Sequence, residues 1–156
     1  MRVTKNRVLV DGNGDLILSK EYCKNCTELK TKSFDSPGAV VELSKDFLLL
    51  HQYPEEHMYM FCLNTRCKLI CIFEVSSGDV NTSIFDKRGI LQKALLANAV
   101  TIILVHNHPS GDPTPSSSDI SITKDFKQAC ELIGIELADH IIVGEAYYSF
   151  KEGGII

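Results

Sequence analysis

The amino-acid sequence predicts a single α/β domain built around one active centre. Three observations carry this. Short β-branched and aromatic runs alternate with segments of helical apolar periodicity, which is how strands and helices of one layered core read in sequence. The 156 residues suffice for one domain, and a chain of that size buries about two thirds of its unfolded surface. The sequence contains neither an internal repeat nor a linker long enough to join a second domain.

Arg7-Val8-Leu9-Val10 and Leu16-Ile17-Leu18 flank Asp11-Gly12-Asn13-Gly14, a strong hairpin signal. Residues 20–35 are polar and read as a connector, so residues 1–35 form a hairpin and connector ahead of a main domain at 36–156. Ser36-Pro37 has the N-cap and first-turn chemistry of a helix running to about Leu50. Two strands, 58–63 and 68–75, turn near Thr65-Arg66-Cys67, and Ser76-Ser77-Gly78 breaks the second. Helical periodicity resumes over 86–98 through Ile90, Leu91, Ala94 and Leu95. Residues 100–105 are predominantly apolar and β-branched and read as a buried strand. A helix opened by Asp119 carries the stripe Ile122, Phe126, Ala129, Cys130 and Ile133. Residues 136–143 and 147–150 close the fold as strands.

The segment between the buried strand and that helix holds the chemistry. His106 and His108 are two apart, so on an extended backbone they leave the strand end on the same side. Asp119 lies three residues before Ile122, on the inward side of the first helical turn. A strand end and a helix start thus bring two nitrogens and one oxygen to one point. That is a three-ligand metal site with a vacant fourth position, the arrangement of catalytic zinc. Pro109, Pro113 and Pro115 restrict the loop while Gly111 permits a turn, which lowers the entropy lost on ordering it around a metal.

The broad features suit a small intracellular enzyme. A net charge of −4 and a pI near 5.7 give no general attraction for phosphate backbones, so nucleic acid is not the expected partner. No segment has the apolar length of a membrane span, and the N-terminus lacks the apolar core of a signal peptide. The six cysteines are scattered through apparent strands and helices, so reduced thiols in the cytoplasm are expected.

The pattern His106-x-His108-x7-Ser116-x2-Asp119 resembles the motif of JAMM (MPN-plus) metalloproteases. The fuller wording from His106 to Asp119, with Thr123 and later Asp139-His140-Ile141-Ile142-Val143-Gly144, is similar to the RadC-type JAB domain of bacteria from about Ser36 onward. The resemblance implies a zinc-dependent peptidase fold: a curved mixed sheet flanked by helices, related in layout to zinc deaminases. It also implies one Zn2+ per chain on His106, His108 and Asp119. The family's further element is a glutamate entering an early strand, and Glu56-His57-Met58 matches it, with Glu55 adjacent.

The reaction this resemblance implies is amide hydrolysis of a protein or peptide. Zinc lowers the pKa of its water to roughly 7. Glu56 accepts that water's proton and passes it to the leaving amine. The Ser116 hydroxyl has the family role of donating to the developing oxyanion. The alternatives are a solvated strand-edge acid for Glu56 and a helix cap for Ser116, although Ser117 or Ser118 can also supply the cap. Asn107 orders the loop, and Asp112 is a turn residue. For Asp139 and His140 a structural role and a part in the site both stay open, and Ser77 is a weak candidate for the cleft.

Cys23-Lys24-Asn25-Cys26 is half of a zinc-ribbon set with no matching C-x-x-C downstream; Cys67 and Cys71, four apart and pointing the same way, leave a four-cysteine site as the lesser alternative. A nucleobase deaminase needs His-x-Glu followed by Pro-Cys-x-x-Cys, which this order of residues does not provide. RadC-type proteins also carry an association with DNA repair, and some MPN domains are metal-free interaction modules. Retention of every ligand favours the enzyme.

Overall fold

Where β-branched runs lie buried on both faces, strands must sit centrally in a sheet, and the two most apolar runs do so here. The structure, a computed structural model, describes residues 4–11, 13–22, 33–78 and 85–156. Its strands are β1 (Thr4–Val10), β2 (Leu16–Tyr22), β3 (His57–Leu63), β4 (Leu69–Ser77), β5 (Thr101–Asn107), β6 (Glu136–Val143) and β7 (Tyr147–Ser149). They form one seven-stranded sheet in the order β2-β1-β4-β3-β5-β6-β7. The sheet is mixed: β1 pairs with β4, and β5 with β6, in parallel, and the other pairs are antiparallel. The C-terminal ends of β4 and β5 and the start of β3 therefore share one edge.

Helix α1 (Pro37–Asp46) covers one face, packing Val40, Val41 and Leu43 with Phe61, Ile103 and Val105. Helices α2 (Lys87–Leu96) and α3 (Ser117–Leu132) cover the other, burying Ile90, Ala94, Phe126 and Cys130 with Met60, Ile102 and Leu104. Along β5 the side chains alternate between these two cores as the pleat requires. Among the described residues this is one α/β domain with a mixed sheet flanked by helices, the fold that the sequence and its family resemblance lead one to expect.

Several boundaries differ from expectation. The first helix stops at Asp46, and a 3-10 turn follows at Leu50–Gln52, because Leu49 takes a left-handed conformation at φ 52°. Ser36 begins that helix without a side-chain cap bond. β4 continues through Ser77 and ends where Gly78 adopts φ 100°. The α3 stripe is rotated: Asp119, Thr123, Phe126 and Cys130 are buried, whereas Ile133 is 43% exposed. Polar Thr123 takes the inward position expected of Ile122. Cys23 and Cys26 lie outside the described residues; Cys67 occupies the β3–β4 turn, Cys71 the core, and the four described cysteines are free.

One irregularity shapes the site. β6 pairs Ile102 with Leu137 but Ile103 with Asp139, so Ala138 is an extra residue opposite β5. Such a bulge reverses the facing of everything beyond it. Leu137 and His140, three apart, consequently face the same core, and Asp139 faces the opposite one. Unbroken alternation would have put Asp139 where His140 stands.

Candidate metal centre

The three expected ligands converge. His106 ends the buried run of β5, His108 starts the loop beyond it, and Asp119 lies in the first turn of α3. Nε2 of His106 lies 3.1 Å from Nε2 of His108 and 3.5 Å from Asp119 Oδ1. The third side, His108 Nε2 to Asp119 Oδ2, is 3.6 Å. His106 is fully buried and Asp119 is 4% exposed. Donors at ordinary zinc–nitrogen and zinc–oxygen lengths on a tetrahedron stand about 3.3–3.4 Å apart. The triangle therefore fits zinc.

The chemistry of the donors fits as well. His108 Nδ1 lies 2.8 Å from the Asp112 carbonyl, which only accepts, so Nδ1 carries the proton and Nε2 keeps its lone pair for the shared point. Burial pushes the Asp119 carboxyl up, but bonding with His108 and Ser116 and the proximity of His106 outweigh it and hold it well below the usual carboxylate range. Bonding to Asp119 raises the His108 pKa against the effect of burial, with smaller contributions from Asp112 and the Glu56 charge. Burial, in contrast, lowers His106 to about 4. Two lone pairs and a carboxylate that resists protonation favour a positive charge where they meet.

The loop between the ligands is held from both ends. His108 N donates to Val143 O at 3.0 Å and Glu145 N to Gly111 O at 2.8 Å, tying the loop to the β6–β7 turn. Gly111 takes φ 84°, and a side chain at Gly144 would stand 2.2 Å from the Gly111 carbonyl oxygen. Glycine at both positions lets the two turns touch.

Ser116 is the N-cap of α3, so the cap falls to it rather than to Ser117 or Ser118. Its Oγ accepts from Asp119 N at 3.1 Å and donates to Asp119 Oδ2 at 2.6 Å, while Ser116 N donates to the same oxygen at 2.8 Å. This capping box also fixes the rotation of the Asp119 carboxylate. Ser116 itself is exposed at the mouth of the site.

Glu56 precedes β3 in a half-buried position, whereas Glu55 is exposed. The segment bearing them is clamped by Asn107, the residue between the two histidines. Asn107 Oδ1 accepts from His57 N at 2.7 Å, and Nδ2 donates to Glu55 O at 3.0 Å and Tyr53 O at 3.4 Å. The peptide groups on either side of Glu56 thus hang from one side chain, and Glu56 O also accepts from Gly78 N at 2.9 Å. Ser77 ends β4 at the same edge of the sheet but contacts none of the three ligands by hydrogen bond.

The sequence alone does not reveal the roles of two residues behind the site. His140 Nε2 lies 2.8 Å from His106 Nδ1, and His140 Nδ1 lies 2.6 Å from Thr123 Oγ1, all fully buried. Phe150 stacks on the His140 ring, centroids 4.7 Å apart. Asp139 turns the other way: its carboxylate accepts from Ser149 Oγ, Lys151 N and His140 N, securing the C-terminal turn to β6. The Thr123 part is readable in principle, since it follows Asp119 by four residues and so shares its helix face.

A mixed sheet flanked by three helices, with a two-histidine, one-aspartate group at its edge able to hold a metal ion, defines a JAB-type domain. A model of the RadC-like JAB domain matches residues 34–155, and the chain belongs to that family. It is 46% identical over 129 residues to a UPF0758 protein of Clostridium acetobutylicum, covering 80% of this chain and 56% of the relative. UPF0758 proteins of Clostridium novyi and Caldanaerobacter subterraneus are 43% and 40% identical over 122 and 129 residues, covering 78% and 82% of this chain and 53% and 54% of theirs. The chain thus spans about half the length of the curated relatives it matches, whose names state no activity. Among the described residues no helix is long and apolar enough to cross a membrane.

Proposed function

We propose that this domain is a zinc-dependent metallopeptidase or isopeptidase that hydrolyses an amide bond of a protein or peptide in the cytoplasm. The observation that carries the reading is the triangle of His106 Nε2, His108 Nε2 and the Asp119 carboxylate, with sides of 3.1–3.6 Å. These three residues would hold one zinc per chain. When bound there, zinc would supply Lewis acidity and lower the pKa of a neighbouring water toward neutrality.

The rest falls to the chain. Glu56, whose charge already acts on His108, takes the proton from the attacking water and delivers it to the leaving nitrogen, so the products are a carboxylate and an amine. Asn107 holds the peptide groups on either side of Glu56 and thereby sets where its carboxylate reaches. The Ser116 hydroxyl, at the mouth of the site, swings from Asp119 to donate to the oxyanion that forms on the substrate carbonyl.

Elemental analysis should give one zinc per chain, lost in His106→Ala, His108→Ala and Asp119→Ala but not in Cys23→Ala. A peptide library should then be cleaved by the zinc-loaded protein and not after chelation. Glu56→Gln should keep zinc and fold yet nearly abolish cleavage, because an amide of similar size cannot take up a proton near neutral pH. Glu55→Gln should be mild, since adjacent residues of an extended segment face opposite sides. Failure of the wild type to bind zinc refutes the reading. A dead Glu55→Gln beside an active Glu56→Gln moves the base by one residue.

A further inference from the structure

The hydrogen bonds behind His106 admit one consistent set of proton positions. Thr123 Oγ1 has a single proton and two polar neighbours, the Asp119 carbonyl at 2.5 Å and His140 Nδ1 at 2.6 Å. A carbonyl oxygen only accepts, so the hydroxyl proton goes to Asp119 O and Thr123 Oγ1 accepts from His140 Nδ1. With its proton on Nδ1, neutral His140 presents a lone pair at Nε2, 2.8 Å from His106 Nδ1. His106 must then be the donor in that bond and carry its own proton on Nδ1. Its Nε2 is left with a lone pair, 3.1 Å from His108 Nε2 and 3.5 Å from Asp119 Oδ1.

We propose that Thr123 and His140 are positioning residues that fix His106 as the tautomer able to bind a metal through Nε2. The proposal rests on the metal-binding reading above and deepens it. Both rings are fully buried, so water cannot substitute for a lost partner. The Phe150 stack holds the His140 ring in place, and the bulge at Ala138 turns it toward His106. His108 needs no such relay, because the Asp112 carbonyl orients it directly. The acceptor behind a metal-binding histidine is commonly a carboxylate or backbone carbonyl. A neutral imidazole in that place orients His106 without adding negative charge to the site. The relay also explains why the inward position of α3 is a threonine: its hydroxyl starts a chain that ends at the metal point.

The test uses Thr123→Val, which keeps the shape and removes the hydroxyl, and Thr123→Ser, which keeps the hydroxyl. Zinc affinity is measured by competition with a chromophoric chelator, and the tautomers of both rings by long-range nitrogen–proton NMR of the metal-free protein near neutral pH. In the wild type His106 and His140 should both be protonated at Nδ1. Thr123→Val should shift His140 toward the Nε2-protonated form and weaken zinc about 10- to 100-fold, and Thr123→Ser should restore the affinity to within about threefold of wild type. Either wild-type ring protonated at Nε2, or Thr123→Val with wild-type affinity, overturns the proposal. If the wild type binds no zinc, the metal reading fails while the NMR still decides the relay.

Discussion

Replacing Asn107 tests whether the site is assembled from two elements by one side chain. Asn107 is 2% exposed and bonds His57 N, Glu55 O and Tyr53 O. Asn107→Ala strands the His57 N–H and the Glu55 carbonyl. Each buried group left unpaired costs about 1–3 kcal/mol, and water reaches the exposed Glu55 side, so a total of about 2–4 kcal/mol is expected. For a chain of this size about 1 kcal/mol corresponds to roughly 2–4 °C in Tm, giving a fall of roughly 4–16 °C. Asn107→Asp is the sharper variant. It has the same shape and still accepts from His57 N, but sets an oxygen against two carbonyls. It should therefore be as damaging as alanine, where a mere filler role would leave it nearly neutral. Calorimetry reads the Tm, elemental analysis should show zinc retained in both variants, and cleavage should be lost because Glu56 is no longer held. A Tm within about 2 °C of wild type for either variant refutes the clamp.

Other outcomes are set by the same geometry. Ser116→Ala loses the cap of α3, worth about 1 kcal/mol, and should slow kcat about a hundredfold through the lost oxyanion donor; a lowered Tm with unchanged kcat reduces Ser116 to a cap. Gly144→Ala drives a methyl into the Gly111 carbonyl 2.2 Å away, so it should weaken zinc binding by displacing the metal loop, measured by chelator competition. The metal-free protein should lose stability on acidification. Burial lowers His106 to about 4 and His140 well below its ordinary value, so from about pH 6.5 down to 4 the unfolded chain binds protons that the folded chain does not. His106 alone contributes about 3 kcal/mol of this loss, the raised pKa of His108 offsets part, and the depressed Asp119 adds its own loss only below the usual carboxylate range. Denaturant melts in chelator at pH 7, 6 and 5 check it; a flat profile refutes buried neutral rings.

The ligand triad is legible in the sequence because its spacing is local: a pleat places His106 and His108 on one side, and a helix start supplies Asp119. The fold is legible because β3 and β5 are apolar on both faces. The place of His140 is not. Its orientation depends on an extra residue at Ala138, and a bulge has no signature when an ordinary alanine fills it. Alternation counted from Leu137 sends the wrong side chain to the metal face. The end of α1 is hidden for a similar reason, since Leu49 is an ordinary helix former that takes a left-handed conformation between the buried Leu48 and Leu50. The cap at Ser116 is obscured because three consecutive serines are chemically equivalent candidates.

Asn107 and its two histidine neighbours make the centre intolerant of partial damage. His106 and His108 face one core and Asn107 the other, so three consecutive residues supply ligands on one side of the sheet and the anchor of the Glu56 segment on the other. A single-residue insertion or deletion within β5 would exchange the two roles, bringing an amide to the metal point and an imidazole to the clamp. No intermediate arrangement keeps half of the machinery. A slip in this stretch would displace both imidazoles and the anchor of the Glu56 segment together, and the order His106-Asn107-His108 in register holds all three in place.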